Sequence, residues 1–485
     1  MSERIGHQVA ELVEVARPTP DLPPRRREQM LAMMEGSSRR QRRTWARRAP
    51  ALAVACALCV IGIGHAFLSR GDGPRVAVAQ LPASEAGSDV VAGSGLEVAA
   101  DPMVAPDPMV GGYGWSPDGS WIIYPTAKEV EKLHGVLLWR LAADGKARDL
   151  LTEETRPWVY HPQVTQDGKH AVYFDGQRLQ VLTIGDRTVT TVPGSLGGYY
   201  VTGSPDGKWV AFARSFVNDT ENGPRAAQLR GLWKWPLTGG RPVQIVALPS
   251  GLKTLDDGEL RTPRWSPDGR WIAYVLTKTN RRGEEVASYT DDIYIARPDG
   301  SGLRKVVSLR TAPDEGAVAL GTQCWSLDSK RLTFVWTEAG RRSRWPWGRS
   351  SRVRGVMALD IATGTLTAVV PPRAVGSHAE FTSDPSWSPK SDHIAFSAAR
   401  RRKGESGARS DIYVASARTG ALTRIAAATE ETSNLRPLWS PQGTSLLYAR
   451  YQVQTTGYVY VQQRQELWVV AVRKAAGAEA PRRRS

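Results

Sequence analysis

The chain has 485 residues, is 41% hydrophobic and 23% charged, and carries a formal net charge of +16. That length allows one large domain plus extras, and 17 Trp within such an apolar fraction exclude wholesale disorder. Three Cys exclude a disulfide scaffold.

The charge is local. Residues 1–48 hold eleven Arg against six acids, residues 338–354 net +5, residues 399–409 net +4 and the final five residues +3, which leaves −1 for everything else. The chain is thus a near-neutral body with four basic patches rather than a generally basic one, and for a bulk expected outside the membrane nucleic acid is not the expected partner.

Residues 1–48 are expected to be an Arg-rich cytoplasmic segment with short helical patterns at Gln8–Ala16 and Arg27–Met34, broken by Pro18, Pro20, Pro23 and Pro24. Residues 49–68 follow as a transmembrane helix. Its centre, Ala51–Leu68, has His65 as its only conventional polar side chain, and at helical rise it is about 27 Å long, close to a bilayer's hydrocarbon core. Arg39, Arg40, Arg42, Arg43, Arg47 and Arg48 precede it, whereas only Arg70 and Arg75 follow closely. This bias predicts a single-pass protein with its N-terminus inside and its bulk in the periplasm or at the cell surface. Ala77-Val78-Ala79 would suit a cleaved signal peptide, but the long lead and long apolar run favour a retained anchor. Cys56 and Cys59 lie within the apolar run and read as small lipid-compatible residues. Residues 69–110, rich in Gly, Ala and Pro, read as a flexible linker.

From residue 111 a single phrase recurs. It reads Trp115-Ser-Pro-Asp-Gly, Val164-Thr-Gln-Asp-Gly, Gly203-Ser-Pro-Asp-Gly, Trp265-Ser-Pro-Asp-Gly, Trp325-Ser-Leu-Asp-Ser, Trp387-Ser-Pro-Lys-Ser and Trp439-Ser-Pro-Gln-Gly, at spacings of 49, 39, 62, 60, 62 and 52 residues. Pro, Asp and Gly in that order make a tight turn, and a short aromatic strand follows each copy. Asp118, Asp167, Asp206 and Asp268 therefore read as turn residues, and Trp115, Trp265, Trp325, Trp387 and Trp439 as packing residues on the strand before the turn. Four strands per repeat, seven times, predict an all-β, seven-bladed β-propeller over residues 111–472, with six or eight blades as the alternative counts. The last repeat lacks a fourth strand, because residues 473–485 are a basic tail. Leu96–Val104 is expected to supply it.

This phrase resembles the WD40-like (PD40) repeat of the TolB family and of the propellers on prolyl oligopeptidases. The resemblance implies a propeller, but neither of the domains that usually accompany it is expected. Residues 69–110 are too short for the TolB N-terminal domain, and no Gly-x-Ser-x-Gly marks a peptidase domain. The seven His show no metal-ligand spacing, and no P-loop is present. Neither a metal nor a cofactor is expected, and the chain is not expected to be an enzyme. Cys324 reads as a buried thiol.

The segments after each second strand are long at Arg214–Gly231, Lys278–Asp291, Glu338–Arg354, Ala399–Arg409 and Arg450–Gln465. In an up-and-down blade these share one face. Two carry the outer basic patches, with Arg341, Arg342, Arg344, Trp345, Trp347, Arg349 and Arg352 in one, and Arg400, Arg401 and Arg402 in the other. Trp beside Arg suits an interaction hot spot, and Arg suits carboxylates or phosphates. A solvated loop packed on the blade edge is the competing reading.

The expected function is a membrane-anchored protein- or ligand-binding module whose partner is an acidic protein or an anionic envelope polymer. Two alternatives stand. The Pro-rich break, Arg cluster, span and outer domain resemble the layout of bacterial membrane-bound anti-sigma factors, which would make residues 1–48 a contact for a cytoplasmic regulator. The other alternative is a propeller hydrolase or lyase acting at the central channel.

Overall fold

The computed structural model describes residues 78–80, 96–98, 103–104 and 112–474, except 131–132, 155–158, 215–228, 250, 253–256, 284, 312–317, 319, 339–352, 371–378, 401–408 and 457–458. The expected cytoplasmic segment, the span and the basic tail lie outside these residues. Among the described residues, no helix is long and apolar enough to cross a membrane.

Each repeat begins at its turn. Ser116 Oγ donates to Asp118 Oδ1 at 2.6 Å, and the amide of Ser120 donates to the same oxygen. The Ser116 hydrogen bond holds the Asp118 carboxyl below its usual range. Gly119 closes the turn at φ 65°. Thr165 and Asp167 rebuild the same pair in blade 2, at 2.5 Å. In blade 5 the glycine position holds Ser329, which still adopts φ 56°. A left-handed non-glycine residue costs roughly 1–2 kcal/mol, and the Ser329 hydroxyl offsets part of this by accepting the Asp268 amide of the neighbouring turn.

The strands so connected form seven antiparallel sheets, each a blade. The first strands are Gly114–Trp115, Tyr160–Val164, Gly198–Gly203, Gly258–Trp265, Leu320–Trp325, Ala379–Trp387 and Thr432–Trp439. These strands contact one another from blade to blade, so they line the axis, and the fourth strands form the rim.

Nine residues after the start of each turn motif stands a buried aromatic on the second strand: Tyr124, Tyr173, Phe212, Tyr274, Phe334, Phe396 and Tyr448. Three of the motif's tryptophans act differently, stapling blade to blade. Trp325 Nε1 donates to Arg264 O of blade 4 at 3.0 Å, and Trp439 Nε1 to Ser386 O of blade 6 at 3.1 Å. Trp115 Nε1 reaches Leu438 O of blade 7 at 3.3 Å, so the same contact closes the ring. Trp115, Ile122 and Tyr124 share one core with Leu438 and Leu447.

Blade 7 takes its outermost strand from ahead of the repeats. Leu96–Val98 pairs antiparallel with Val459–Lys474, Leu96 opposite Lys474, and Met103–Val104 pairs with the same strand. Val78–Gln80 adds a fifth, parallel strand to blade 5, beside Leu366–Val370.

Two of the five segments read as insertions are sheet. Ile272–Arg282 with Glu285–Ala296, and Ser445–Thr456 with Val459–Lys474, are long two-stranded ribbons. Trp121–Val130 with Leu133–Ala142 forms a third, in blade 1. Runs such as Tyr451-Gln-Val-Gln-Thr-Thr alternate β-formers, so the ladder continues past the blade edge.

Trp439→Phe should lower unfolding stability by about 1–3 kcal/mol, because it strands a buried carbonyl. Trp265→Phe should cost less, since the Trp265 indole serves its own turn at Gly269 O. Urea melts of both variants check this. Deleting Leu96–Val104 should remove the cooperative thermal transition by exposing the edge of blade 7.

Candidate functional site: the channel and the connector face

A first strand pairs on one side only, so its other edge turns unpaired N–H and C=O groups toward the channel. Two devices satisfy that edge. Proline stands two residues before the turn motif in four blades, at Pro162, Pro263, Pro385 and Pro437, and removes the N–H altogether.

Side chains do the rest. Gln323 Nε2 donates to Trp439 O at 2.9 Å, while its Oε1 accepts Trp439 N at 2.9 Å and Ser386 Oγ at 2.5 Å. One amide thereby links blades 5, 6 and 7. Gln163 Nε2 donates to Val201 O at 2.9 Å, tying blade 2 to blade 3. Arg264 of blade 4 donates through Nε to Gly321 O at 2.8 Å and through Nη1 to Pro263 O at 2.9 Å and Val201 O at 3.5 Å. Together they form a polar girdle. At Gly321 a Cβ would lie 2.7 Å from Pro385 O, so the approach of blades 5 and 6 requires glycine there.

On the connector side of the girdle the first strands bulge. Register breaks occur at Tyr160/Gln163, Tyr199/Val201, Arg261/Arg264, Leu320/Trp325, Ser383/Ser386 and Leu435/Leu438. Tyr200, Thr262 and Arg436 hold φ of 52°, 43° and 57° within these bulges. Such strain gathers where a fold re-aims side chains. The position three residues before the turn motif carries His161, Tyr200, Thr262, Thr322, Asp384 and Arg436 in blades 2 to 7.

The two channel arginines differ in their charge environment. Arg261 Nε lies 2.7 Å from Glu259 Oε1, and its Nη2 donates to Tyr200 Oη at 3.3 Å. Burial works against its charge, but Tyr200, Glu259 and Asp291 outweigh that and raise its pKa. Arg264 is 7% exposed, and burial lowers its pKa with no carboxylate to oppose it. Beside it, burial pushes the Cys324 thiol up to about 12. Among the described residues, no group of three or more His, Cys, Asp or Glu side chains could hold a metal ion.

Arg341, Arg342, Arg344, Trp345, Trp347, Arg349, Arg352, Arg401 and Arg402 lie outside the described residues. Arg400 is the last residue of its strand, paired with Arg409. The other basic segment leaves its hairpin at Glu338 opposite Val353. These hairpins belong to neighbouring blades 5 and 6, and both open at the end opposite the turn motifs. Trp115, Trp325, Trp387 and Trp439 are buried and Trp265 is half-buried. Asp118, Asp167, Asp206 and Asp268 hold their turns. The sequence pointed to Arg264 and Gln323 only as the ends of the connectors Gly251–Arg264 and Asp314–Gln323 expected to supply a channel site, and Gln163 and Ser386 went unrecognised, although proline two positions before the motif marks their level.

Seven blades of four or five strands closed in a ring define a β-propeller, and the turn motif makes it TolB-like. A stretch of 52 residues is 42% identical to the Tol-Pal system protein TolB of Syntrophus aciditrophicus, covering 10% of this chain and 9% of that protein. The match thus spans about a tenth of that relative's length. No family model matches the chain.

Among solved structures, oligogalacturonate lyase of Vibrio parahaemolyticus is 12% identical, with a TM-score of 0.47, over 76% of this chain and 91% of that one. The propeller domain of the Trilobed protease of Pyrococcus furiosus is 10% identical, with a TM-score of 0.48, over 76% and 96%. A puromycin-hydrolysing peptidase of Mycobacterium tuberculosis is 17% identical, with a TM-score of 0.43, over 80% and 57%. These comparisons correct the expectation that the chain is not an enzyme. Similar propellers belong to lyases and peptidases, so a bare propeller without a peptidase motif does not exclude catalysis. The likeness is one of fold and brings no particular activity with it.

Gln323→Ala should lower stability by about 1–3 kcal/mol by stranding Trp439 N and O, with a larger loss than Thr322→Ala in the same strand. Parallel urea melts of the two variants check this.

Proposed function

We propose that this TolB-like propeller is held outside the membrane by the span at residues 49–68 and recognises an anionic macromolecule of the cell envelope through its connector face. The observation that carries the reading is the siting of charge. The body is neutral to within one charge, yet net +5 and net +4 sit in two connections that leave neighbouring blades at the same end. Arginine binds carboxylate and phosphate with paired donors, and Trp345 and Trp347 add apolar contact at low entropic cost. An acidic polypeptide and an anionic polysaccharide both satisfy this chemistry.

The test uses the full chain in detergent with polyglutamate and alginate as probes. Replacing Arg341, Arg342, Arg344, Trp345 and Trp347 together should weaken binding at least tenfold and leave the thermal midpoint unchanged. Affinity should fall steeply as salt rises. Unchanged affinity in the variant, or binding indifferent to salt, would overturn the reading.

A further inference from the structure

We propose that Arg264 anchors a site for a small oxyanion, a carboxylate or a phosphate, inside the central channel. The argument begins from a comparison between blades. Capping the channel edge takes hydrogen-bond donors, not charge, and glutamines do it in blades 2 and 5, where Gln163 reaches Val201 O and Gln323 reaches Trp439 O. Blade 4 does the same job with a guanidinium. That choice buries a full positive charge that the capping does not use, and a buried charge without a counter-charge is costly to fold around.

No protein group repays that cost. Among the described residues Arg264 makes no ion pair; its three acceptors are the backbone carbonyls of Gly321, Pro263 and Val201. The field of Cys324 reaches Arg264, but burial pushes that thiol up to about 12 and keeps it neutral. Arg261, on the same strand, has Glu259 at 2.7 Å and the field of Asp291, so its charge is already matched. Arg264 is thus the unmatched cation of the pair.

Its geometry leaves a donor free. Nε and Nη1 are committed to carbonyls, whereas Nη2 donates to nothing. Among the described residues Nη2 is also not one of the polar atoms sealed from solvent without a partner, so it keeps some accessible surface. The committed donors lie against the first strands of blades 3, 4 and 5, whose free edges face the axis, and this puts the open donor on the channel. The strained bulges at Tyr200 and Thr262 stand immediately beside it. An oxyanion at Nη2 supplies the missing negative charge and meets two N–H groups already held in place.

The experiment is calorimetric titration of the full chain in detergent with inorganic phosphate and, separately, succinate, each against chloride of equal ionic strength. One saturable site is expected for at least one of them. Tighter phosphate assigns a phosphate-bearing ligand, and tighter succinate a carboxylate. Arg264→Gln installs the cap used by the other blades and should weaken binding at least tenfold. Gln163→Glu, whose side chain shares Val201 O with Arg264, should do the same by providing an internal counter-ion. If Arg264→Gln does not fold, Gln163→Glu and an anion-specific rise in the wild-type thermal midpoint carry the test. The variant lacking the five connector-face residues should bind both anions as the wild type does, which separates this site from the connector face. No saturable binding to wild type, or undiminished binding in folded Arg264→Gln and Gln163→Glu, overturns the proposal.

Discussion

A propeller's hardest constraint lies at its centre, where seven strand edges meet with no further strand to pair with. A buried backbone N–H or C=O left without a partner costs as much as several good contacts supply. Here the solution is written into three residues ahead of each turn motif. Proline deletes the donor in four blades, and glutamine, serine or arginine caps what remains. Because those caps cross from blade to blade, they also set the spacing of the ring. Gln323 shows this best: one amide fixes the relation of blade 5 to blades 6 and 7.

The same economy governs the outer part of each blade. A hydroxyl–aspartate pair folds the turn in blades 1 to 5, a tryptophan staples blades 1, 5 and 7 to the preceding blade of the ring, and in every blade an aromatic nine residues on fills the second-strand core. Departures from the motif reveal which atoms matter. Thr165 replaces serine because only the hydroxyl is needed. Ser329 replaces glycine at a positive φ and recovers part of the strain through a bond to the next turn. Blades 2 and 5, the most divergent in sequence, therefore still form complete sheets.

Much of this was legible from the sequence, and for a definite reason. A turn is a local event, so its proline, aspartate and glycine announce it wherever they occur, and counting turns counts blades. The ribbons were harder to see. Lys278–Asp291 and Arg450–Gln465 are as long and polar as loops, and only their alternation distinguishes them. The girdle was harder still. Gln323 and Trp439 are 116 residues apart, and no spacing along the chain shows that one caps the other. The exclusion of catalysis failed because it rested on missing motifs, and an absent motif does not show an absent activity.

That last point bears on how such a ring acquires function. Seven blades present seven versions of each position, and in six of them the bulge position holds five different side chains: His161, Tyr200, Thr262, Thr322, Asp384 and Arg436. The core position stays aromatic in all seven blades, since packing demands it. The bulge positions diversify in residue type, although one of them still caps a neighbouring blade: Thr262 Oγ1 accepts the Leu320 amide. The scaffold thus separates what must repeat from what is free to vary. The unmatched guanidinium of Arg264 sits at the boundary between the two, performing a structural task with a group whose charge that task does not require.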